Sequence, residues 1–274
     1  MSLSVISELN DSVAFIAAQM PYKPRIAVIL GSGLGNFIDE MIIDVSIPYI
    51  SIPHFPVSTV EGHSGKLIFG KLGNKEVMVM AGRFHYYEGY TPQQVCYPVR
   101  VMKMLGAEVL LLSNAAGGVG EGFQVGDMMI IEDHISFFTK NPLIGKNENT
   151  LGSRFPDMSA PYNKQLIDLA NSIALNLGFT LKRGVYVGVT GPTFETHAEY
   201  RLIKAVGGHA VGMSTVQEVI AAVHCGMQVF GMSVITDLGI RADNNIITHE
   251  EVLQAAKDAE PKLSLLFREM VKEI

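Results

Sequence analysis

The stretch Arg25-Ile26-Ala27-Val28-Ile29-Leu30, followed directly by Gly31-Ser32-Gly33-Leu34-Gly35-Asn36, gives the first indication of the fold. The mostly apolar, partly β-branched run predicts a buried strand. The glycines predict a tight turn at its carboxyl end, where backbone amides can converge on an anion. A dinucleotide-binding fingerprint would need glycine at Asn36, and a P-loop would need Lys-Ser/Thr after the glycines. Both are absent, so this turn either binds another anion or has only a structural role.

Short apolar runs alternate with longer amphipathic runs along the chain, which is typical of an α/β protein with a central sheet. The predicted strands are Arg25–Leu30, Glu76–Ala81, Glu108–Ser113, Asp127–Glu132, Gly184–Thr190 and Gln228–Thr236. The predicted helices are Leu3–Gln19, Pro92–Leu105, Asn163–Leu177, Thr196–Val206, Thr215–Cys225 and Thr248–Lys272. No repeat of fixed period and no Pro/Gly/Ser-rich linker divides the sequence, so we expect one domain over residues 1–274.

Composition and charge exclude several classes of protein. The 274 residues are 48% hydrophobic and carry a net charge of −6, whereas nucleic-acid-binding domains usually present a basic surface. The sequence shows neither a cationic signal-peptide start nor an apolar run long enough to span a membrane. Cys96 and Cys225 match no zinc or disulfide framework, and no clustered His/Cys/Asp set indicates a metal site. We therefore expect a cytoplasmic protein that binds neither nucleic acid nor membrane.

Two further segments follow predicted strands and point to the same edge of the sheet. One is Ser113–Gly118, a second turn of small residues, and the other is Gly82–Gly89, which contains Arg83 and His85. These two side chains would face the same side of an extended backbone, as paired phosphate donors require, and Tyr87 continues that parity. Ligands of open α/β sheets bind beyond the carboxyl ends of the strands. Close packing of small residues and a solvated Arg-x-His edge are the structural alternatives.

Later segments carry groups suited to an aromatic ligand with N–H donors. In Thr190–Thr196, a base ring could stack on Phe194 while Glu195 accepts its N–H groups, although Glu195 could also be a favourable charge near a helix start. Ser214 is either a helix N-cap or an anion ligand. Asp237 ends a predicted strand, and His249 begins the last helix. The irregular stretch 140–161 is too long for an ordinary connection and is therefore either functional or mobile.

Taken together, these segments resemble the trimeric purine nucleoside phosphorylases. The resemblance rests on GSGLG, FPVSTVEGHSG, GRFHYYEGY, SNAAGG, NPLIG…RFPDMS, TGPTFET, VGMSTVQEV and ITD…THEEV, in order from about Ile26 to Val252. It implies a single α/β domain with a mixed, partly barrel-like sheet. It also implies phosphate-dependent cleavage of purine nucleosides, with phosphate as co-substrate and neither metal nor organic cofactor. A nucleoside-binding protein without turnover is the alternative from another class.

The resemblance also implies a role for each matching residue. Catalytic roles fall to His85, Glu195, Asp237 and His249. Phosphate would be held by Ser32, His63, Arg83, His85, the amide of Ala115 and Ser214. Ribose would lie against Tyr87, Met213 and His249, and the purine against Asn114, Ala116, Phe194, Glu195, Val211 and Asp237. Phe155 would reach the site of a neighbouring subunit, which implies a homotrimer. Arg83, His85 and the amide turns would make a local positive pocket in an acidic protein.

Asp237 departs from the family pattern. Members that prefer inosine and guanosine usually place Asn here, since an amide can donate to O6 and accept from N7–H, whereas an ionised carboxylate can only accept. Aspartate would repel O6 unless it were protonated, and it would accept from the 6-amino group of adenine. The sequence therefore predicts an inosine- or guanosine-cleaving phosphorylase, with an adenosine- or methylthioadenosine-preferring enzyme as the alternative.

Overall fold

The computed structural model describes residues 4–32, 35–57, 64–240 and 248–274, whose strands form a mixed nine-stranded sheet. The strands are β1 (Ile26–Ile29), β2 (Ile42–Pro48), β3 (Lys66–Leu72), β4 (Lys75–Ala81), β5 (Val109–Gly118), β6 (Met128–Ile135), β7 (Lys182–Gly188), β8 (Ala210–Gly212) and β9 (Gln228–Leu238). The α-helices are α1 (Val5–Ala17), α2 (Pro92–Val95), α3 (Tyr97–Met104), α4 (Lys164–Asn176), α5 (His197–Ala205), α6 (Val216–His224) and α7 (His249–Glu273). Short 3₁₀ turns cover Gly35–Glu40, Tyr49–Ser51 and Tyr86–Glu88.

Part of the sheet closes into a barrel. The strand order is β2-β3-β4-β1-β5-β8-β7-β6-β9, and β9 also pairs with β5, so the segment from β5 to β9 forms a ring while β1 to β4 extend from it. This confirms the predicted α/β class with a mixed, partly barrel-like sheet flanked by helices. That the domain takes in all of residues 1–274 stays a prediction.

Parallel pairing brings the segments that carry predicted site residues to one edge. β1 is parallel to both β4 and β5, and β5 is parallel to β9. The segments that follow these strands therefore leave the sheet at the same edge, where ligands of α/β proteins bind. The central strands are buried over most of their length, consistent with their continuous apolar sequences.

Helices cover the sheet and complete the core. α1 packs on α3 and α3 on α6, while α7 packs against α4 and against β9. The main buried cluster includes Leu110, Phe230 and Phe267, and a smaller cluster is built from Val119, Val187, Tyr200, Ile203 and Val211. That smaller cluster lies beneath part of the candidate site, since Val211 belongs to both.

The structure corrects one predicted helix and one predicted turn, and it adds strands. Residues Ser113–Gly118, predicted as a second turn, form the last part of β5, because they pair with β9 and, at Gly117 and Gly118, with β8. The helix predicted over Pro92–Leu105 is broken at Cys96 into α2 and α3, because Pro98 has no N–H to donate to the preceding turn. Strands β2, β3 and β8 were not predicted. Residues 140–161 contain neither helix nor strand, as their irregular sequence indicates.

Candidate active site

A cavity of about 530 Å³ opens at the edge of the sheet where the parallel strands end. Its volume lies within the usual range for small-molecule sites. The predicted site residues that line it are Ser32, Arg83, His85, Tyr87, Asn114, Ala115, Ala116, Phe194, Glu195, Val211, Met213, Ser214, Asp237 and His249. The structure thus brings together side chains from segments more than two hundred positions apart. Their individual roles stay predictions.

Arg83 is held at the floor of the cavity by a buried ion pair. Its Nε donates to Glu218 Oε1 at 3.2 Å, and the two side chains are 1% and 2% exposed. An Nη1–H of Arg83 also donates to the backbone carbonyl of Ser113. The guanidinium is therefore fixed in orientation, and its charge is opposed by a carboxylate that the sequence prediction of a positive pocket did not include.

His85 is likewise oriented by an acidic neighbour. Its Nδ1 lies 3.1 Å from Glu88 Oε1, which also accepts the backbone N–H of His85 at 2.7 Å. When Nδ1–H donates to Glu88, the imidazole keeps one orientation. The ring stacks on Tyr87 with centroids 4.7 Å apart.

The predicted continuation of an extended backbone to Tyr87 is wrong. His85 has extended backbone angles, but a 3₁₀ turn begins at Tyr86, so alternation of sides ends there. Tyr87 reaches the cavity through that turn, in which Gly89 supplies the left-handed conformation at the end. Tyr87 therefore lines the cavity as predicted, but it does so through a 3₁₀ turn and not through an extended backbone.

Hydrogen bonds among the β5 and α6 segments connect the middle of the site. Asn114 Nδ2 donates to Thr215 Oγ1 at 2.8 Å, and the hydroxyls of Ser214 and Thr215 lie 3.1 Å apart. Thr215 is the N-cap of α6 and has a φ of +72°, which is costly for a β-branched residue. Such strain concentrates at functional sites, and here it places Ser214 at the cavity wall.

Gly31 allows the first turn to approach this group. A Cβ on Gly31 would lie 2.8 Å from both Asn114 Cα and the Ser113 carbonyl oxygen. Its N–H donates to Ser113 Oγ at 3.2 Å. Ser32 consequently enters the cavity beside β5, and only glycine fits at position 31 without displacing the backbone of β5.

At the other end of the cavity, a β-bulge sets the position of Asp237. The β5–β9 register shifts between Ala116 and Gly117, so that Ala116 pairs with Ile235 but Gly117 pairs with Asp237. Bulges next to active sites commonly redirect a side chain in this way. The hydroxyl of Thr236 donates to Asp237 Oδ1 at 3.3 Å, and the Asp237 residue is 4% exposed.

Glu195 faces the same end of the cavity. Burial raises the pKa of its carboxyl group, and the negative charge of Asp237 raises it further, while hydrogen bonds from its own backbone N–H and from Tyr200 oppose the rise. Two carboxyl groups that interact in this way favour a state in which the pair carries a single proton. Such a pair can both accept and donate hydrogen bonds.

Between the two ends, Met213 and Tyr87 line the wall and His249 stands at the opening. His249 is the first residue of α7, whose start is fixed by Thr248: its hydroxyl accepts the N–H of Glu251 at 3.2 Å. Its side chain is exposed and can therefore approach a bound ligand from the solvent side. The cap explains how the first residue of this helix acquires a defined position.

The roles predicted for His63 and Phe155 stay predictions. His63 lies outside the described residues. Phe155 is 87% exposed and does not line its own chain's cavity, so the structure leaves its predicted role in a neighbouring subunit open. Within the described residues, no group of three or more His, Cys, Asp or Glu side chains could hold a metal ion. The described helices include none that is long and apolar enough to cross a membrane.

Sequence comparison decides the family. The Phosphorylase superfamily matches residues 25–272. The chain is 50% identical to purine nucleoside phosphorylase 1 of Geobacillus stearothermophilus, over 97% of this chain and 96% of that one. This chain belongs to the purine nucleoside phosphorylase family. The predicted family and its enzyme class, the pentosyltransferases, are thereby confirmed.

Solved structures of purine nucleoside phosphorylases share the complete fold. A Schistosoma phosphorylase in complex with hypoxanthine superimposes with a TM-score of 0.94 at 39% identity, covering 100% of this chain and 99% of that one. A Schistosoma mansoni phosphorylase in complex with adenosine gives the same TM-score and identity, with 99% of each chain covered. The relationship to purine nucleoside phosphorylases therefore covers the sheet, the helices and the edge that carries the cavity.

Several residues of this phosphorylase site were missed at the sequence level. Glu218 and Tyr200 lie within helices, where a capping acid and an apolar-face aromatic have ordinary explanations. Glu88 belongs to the segment Gly82–Gly89 but was not predicted as a site residue. A buried carboxylate near an arginine has no local signal when, as for Arg83 and Glu218, 135 positions separate the partners. The capping position of Glu218, three residues after Thr215, was the one available sign that its side chain is fixed.

Proposed function

We propose that this protein catalyses the reversible phosphorolysis of purine ribonucleosides and deoxyribonucleosides, giving the free base and pentose 1-phosphate. The observation that carries the proposal is the single cavity in which Arg83 and His85 lie at one end and Glu195 and Asp237 at the other. One end is suited to an oxyanion and the other to a ring with N–H groups. Family membership supports the same reaction.

In the proposed mechanism, the protein positions phosphate and stabilises charge that develops as the glycosidic bond breaks. The N9–C1′ bond breaks first, which gives an oxocarbenium-like ribosyl group and a purine with growing negative charge. Arg83, His85, Ser32, Ser214 and the Ala115 amide hold phosphate below the sugar, and a phosphate oxygen then bonds to C1′. Oriented donors are effective because they need no reorganisation during the reaction.

The pentose and the base would occupy the remaining surfaces. Tyr87, Met213 and His249 contact the pentose, with His249 reaching the 5′-hydroxyl. Phe194 and Val211 contact the faces of the base, Glu195 and Asp237 its polar edge, and Asn114 and Ala116 lie nearby. No metal or organic cofactor takes part in this proposal, and inorganic phosphate is the co-substrate. His63 stays a candidate phosphate ligand.

Asp237 determines which purines are accepted. We propose inosine and guanosine as substrates, with Asp237 protonated while a 6-oxopurine is bound, since only the protonated form can donate to O6. The proximity of Glu195 supports this protonation, because the pair interacts unfavourably when both groups are charged. The second candidate is adenosine or methylthioadenosine cleavage, favoured by the same aspartate as an acceptor for the 6-amino group.

A phosphate-dependent substrate panel tests the reaction. Release of base from inosine, guanosine, adenosine and methylthioadenosine is measured with and without phosphate at several pH values. We expect release of hypoxanthine and guanine only with phosphate. Release without phosphate would indicate a nucleosidase, no release would indicate a binding protein, and strong activity on adenosine alone would contradict the preferred substrates.

Two variants connect the panel to the site. Arg83→Ala should lower kcat/KM for phosphate on the order of 10²–10³-fold, by analogy with loss of an oxyanion-hole donor. Arg25→Ala, which breaks an exposed ion pair with Glu108, is the matched control and should leave activity unchanged. Asp237→Asn should raise the ratio of inosine to adenosine cleavage. An unchanged ratio would show that position 237 does not contact the 6-substituent.

We further propose a cytoplasmic homotrimer. Phe155, in the irregular stretch 140–161, is 87% exposed, as expected for a side chain that completes the site of a neighbouring subunit. Sedimentation equilibrium tests the trimer directly. Phe155→Ala should lower kcat/KM for the nucleoside while the same variant, examined by sedimentation, shows whether assembly is preserved. A fully active monomer would contradict both the trimer and the role of Phe155 in a neighbouring site.

A further inference from the structure

A second cavity, of about 270 Å³, shares no lining residue with the candidate active site. Its walls come from α1, α2, α3, the end of α6 and the irregular stretch 140–161. Arg100 and His224 bring buried polar groups to it, and Lys146 brings a positive charge. The proposed reaction uses none of these three residues.

Arg100 is a buried cation without a counter-charge. It lies in α3, is 9% exposed and lines the second cavity. Its Nε–H has no hydrogen-bond partner, and within the described residues no carboxylate forms an ion pair with its guanidinium. A buried charge is costly unless it is paired and hydrogen-bonded. The buried Arg83, by contrast, is paired with Glu218. Arg100 therefore lacks the partner that its burial requires.

His224 adds a second unpartnered group at the same cavity. It is the last residue of α6, it is 6% exposed, and neither ring nitrogen has a hydrogen-bond partner. Burial and the nearby charge of Arg100 lower the pKa of the ring. The backbone of Gly152 and Ser153 lies close enough to oppose this shift, but without the geometry of a hydrogen bond. At neutral pH the ring thus carries one N–H that is available to donate.

Hydrogen bonds hold the irregular stretch in place as one wall of the second cavity. Gln93 Nε2 donates to Ile144 O at 3.3 Å, and Asn147 Nδ2 donates to Gly152 O at 3.0 Å. A Cβ on Gly152 would overlap the carbonyl oxygen of His224, so glycine allows the stretch to approach the end of α6. The cavity is therefore built from fixed elements, and its wall beside His224 is defined.

Glu8 and Glu148 also line the second cavity, but they are placed differently from Arg100. Both are half-buried, and neither forms an ion pair with Arg100. The carboxylate of Glu148 accepts from the hydroxyl of Thr150 at 3.4 Å. Water screens charges at such positions, whereas a buried charge is screened much less. The charge that still needs a partner is therefore the positive charge of Arg100.

We propose that the second cavity is an oxyanion-binding site of the phosphate class, in which the guanidinium of Arg100 and the imidazole N–H of His224 hold the ligand. The planar donors of arginine suit phosphate oxygens, and the ligand supplies the counter-charge that Arg100 lacks. Inorganic phosphate and a phosphate monoester share this chemistry. The site is separate from the phosphate position of the proposed reaction and does not depend on that reaction.

Thermal unfolding with and without inorganic phosphate, at matched ionic strength, tests the site. Arg100→Met removes the charge and keeps an unbranched apolar side chain. Lys103→Met is the matched control, because Lys103 carries the same charge on the same helix and lines neither cavity. Without phosphate, Tm of Arg100→Met should be no lower than that of wild type, since no unpaired buried charge is left. Added phosphate should raise Tm of wild type and of Lys103→Met by more than that of Arg100→Met.

Calorimetric titration identifies the ligand and needs no turnover. Wild type and Lys103→Met should each bind two phosphate ions per chain, one in each cavity. In Arg100→Met, Kd of the second ion should rise at least about tenfold, as expected when a charged hydrogen-bond donor is lost. The same titration with ribose 5-phosphate distinguishes the two sources, because the true ligand shows the larger dependence on Arg100.

Other results would overturn the inference. One is an equal phosphate response in Arg100→Met and Lys103→Met. Another is a lower Tm of Arg100→Met without phosphate, together with a smaller species in sedimentation, which would show that a carboxylate of a neighbouring subunit pairs with Arg100. Arg100-dependent binding in a chain that performs no phosphorolysis would refute only the proposed function. Should Arg100→Met not fold, Arg100→Lys keeps the charge but loses the planar donors, and phosphate binding as tight as in wild type would then overturn the inference.

Discussion

Replacing Glu218 by Gln would test whether the ion pair beneath the cavity holds the site together. Glu218 uses both carboxylate oxygens: Oε1 accepts from Arg83 Nε at 3.2 Å, and Oε2 accepts the backbone N–H of Thr215 at 3.1 Å. Glutamine has the same shape but only one oxygen. Either Arg83 or Thr215 would therefore face an amide N–H₂ in a buried environment, and Arg83 would lose its counter-charge.

The expected loss of stability follows from this burial. Breaking a buried ion pair by neutralising one partner typically costs about 3–5 kcal/mol, because the remaining charge stays out of water. At roughly 2–4 °C per kcal/mol for a chain of this size, Tm should fall by about 6–20 °C. Replacing both partners with apolar residues, as in Arg83→Met with Glu218→Leu, should recover most of this loss of stability, because no unpaired charge is left. Its kcat/KM for phosphate should stay low, as in Arg83→Ala.

Thermal unfolding followed by circular dichroism at neutral pH gives the comparison. The control is Glu108→Gln, which neutralises an exposed pair with Arg25 and should leave Tm unchanged. A Glu218→Gln variant as stable as Glu108→Gln would refute the view that the Arg83–Glu218 pair is strongly coupled to folding. A double variant less stable than Glu218→Gln would refute the assignment of the loss to an unpaired charge.

Two further predictions concern the two ends of the cavity. Glu195→Gln should lower activity but raise Tm at pH 8 relative to wild type. Burial raises the pKa of Glu195 in the folded protein, so its protonated carboxyl stabilises the fold at low pH. That stabilisation is lost as the pH rises through the folded pKa. The gain in Tm should shrink as the pH falls from 8 towards 4.5, the ordinary pKa of a glutamate side chain. An equal gain in Tm at pH 8 and at pH 4.5 would contradict this reasoning. Gly31→Ala should destabilise the protein by about 1–3 kcal/mol, because its Cβ meets backbone atoms of β5. Gly35→Ala, whose Cβ would meet nothing within 4 Å, is the control, and equal unfolding midpoints for the two variants in urea would show that β5 yields freely.

The predictable part of the fold was the part in which sequence pattern and burial coincide. β1, β5 and β9 are buried on both faces, so their apolar runs identify them directly. β2 exposes most of its residues and ends in Pro48, and β8 has three residues, so neither has a distinctive pattern. These strands exist because neighbouring strands supply pairing partners, which a local pattern does not reveal.

The residues of the candidate site likewise divide into those that local sequence indicates and those that it does not. Segments directly after strands, such as the one beginning at Arg83, were recognisable because the topology of α/β sheets brings strand ends together. The partners of these residues were not recognisable. Glu218 approaches Arg83 from a distant helix, and Tyr200 approaches Glu195 from the buried face of α5. Such contacts depend on how helices pack, and they changed the predicted positive pocket into one whose cations are paired with acids.

Strand β5 sets the distance between two parts of the cavity lining. Ala115, at the proposed anion end, and Gly117, at the proposed base end, lie on the same strand, which is paired with β1, β8 and β9. The rise of an extended chain sets their separation at ~7 Å. Substitutions around the cavity can alter which groups a ligand must carry at either end, but they cannot alter this spacing. Variants of the cavity side chains would therefore select ligands by their substituents, whereas the spacing of the two proposed ends stays that of the strand.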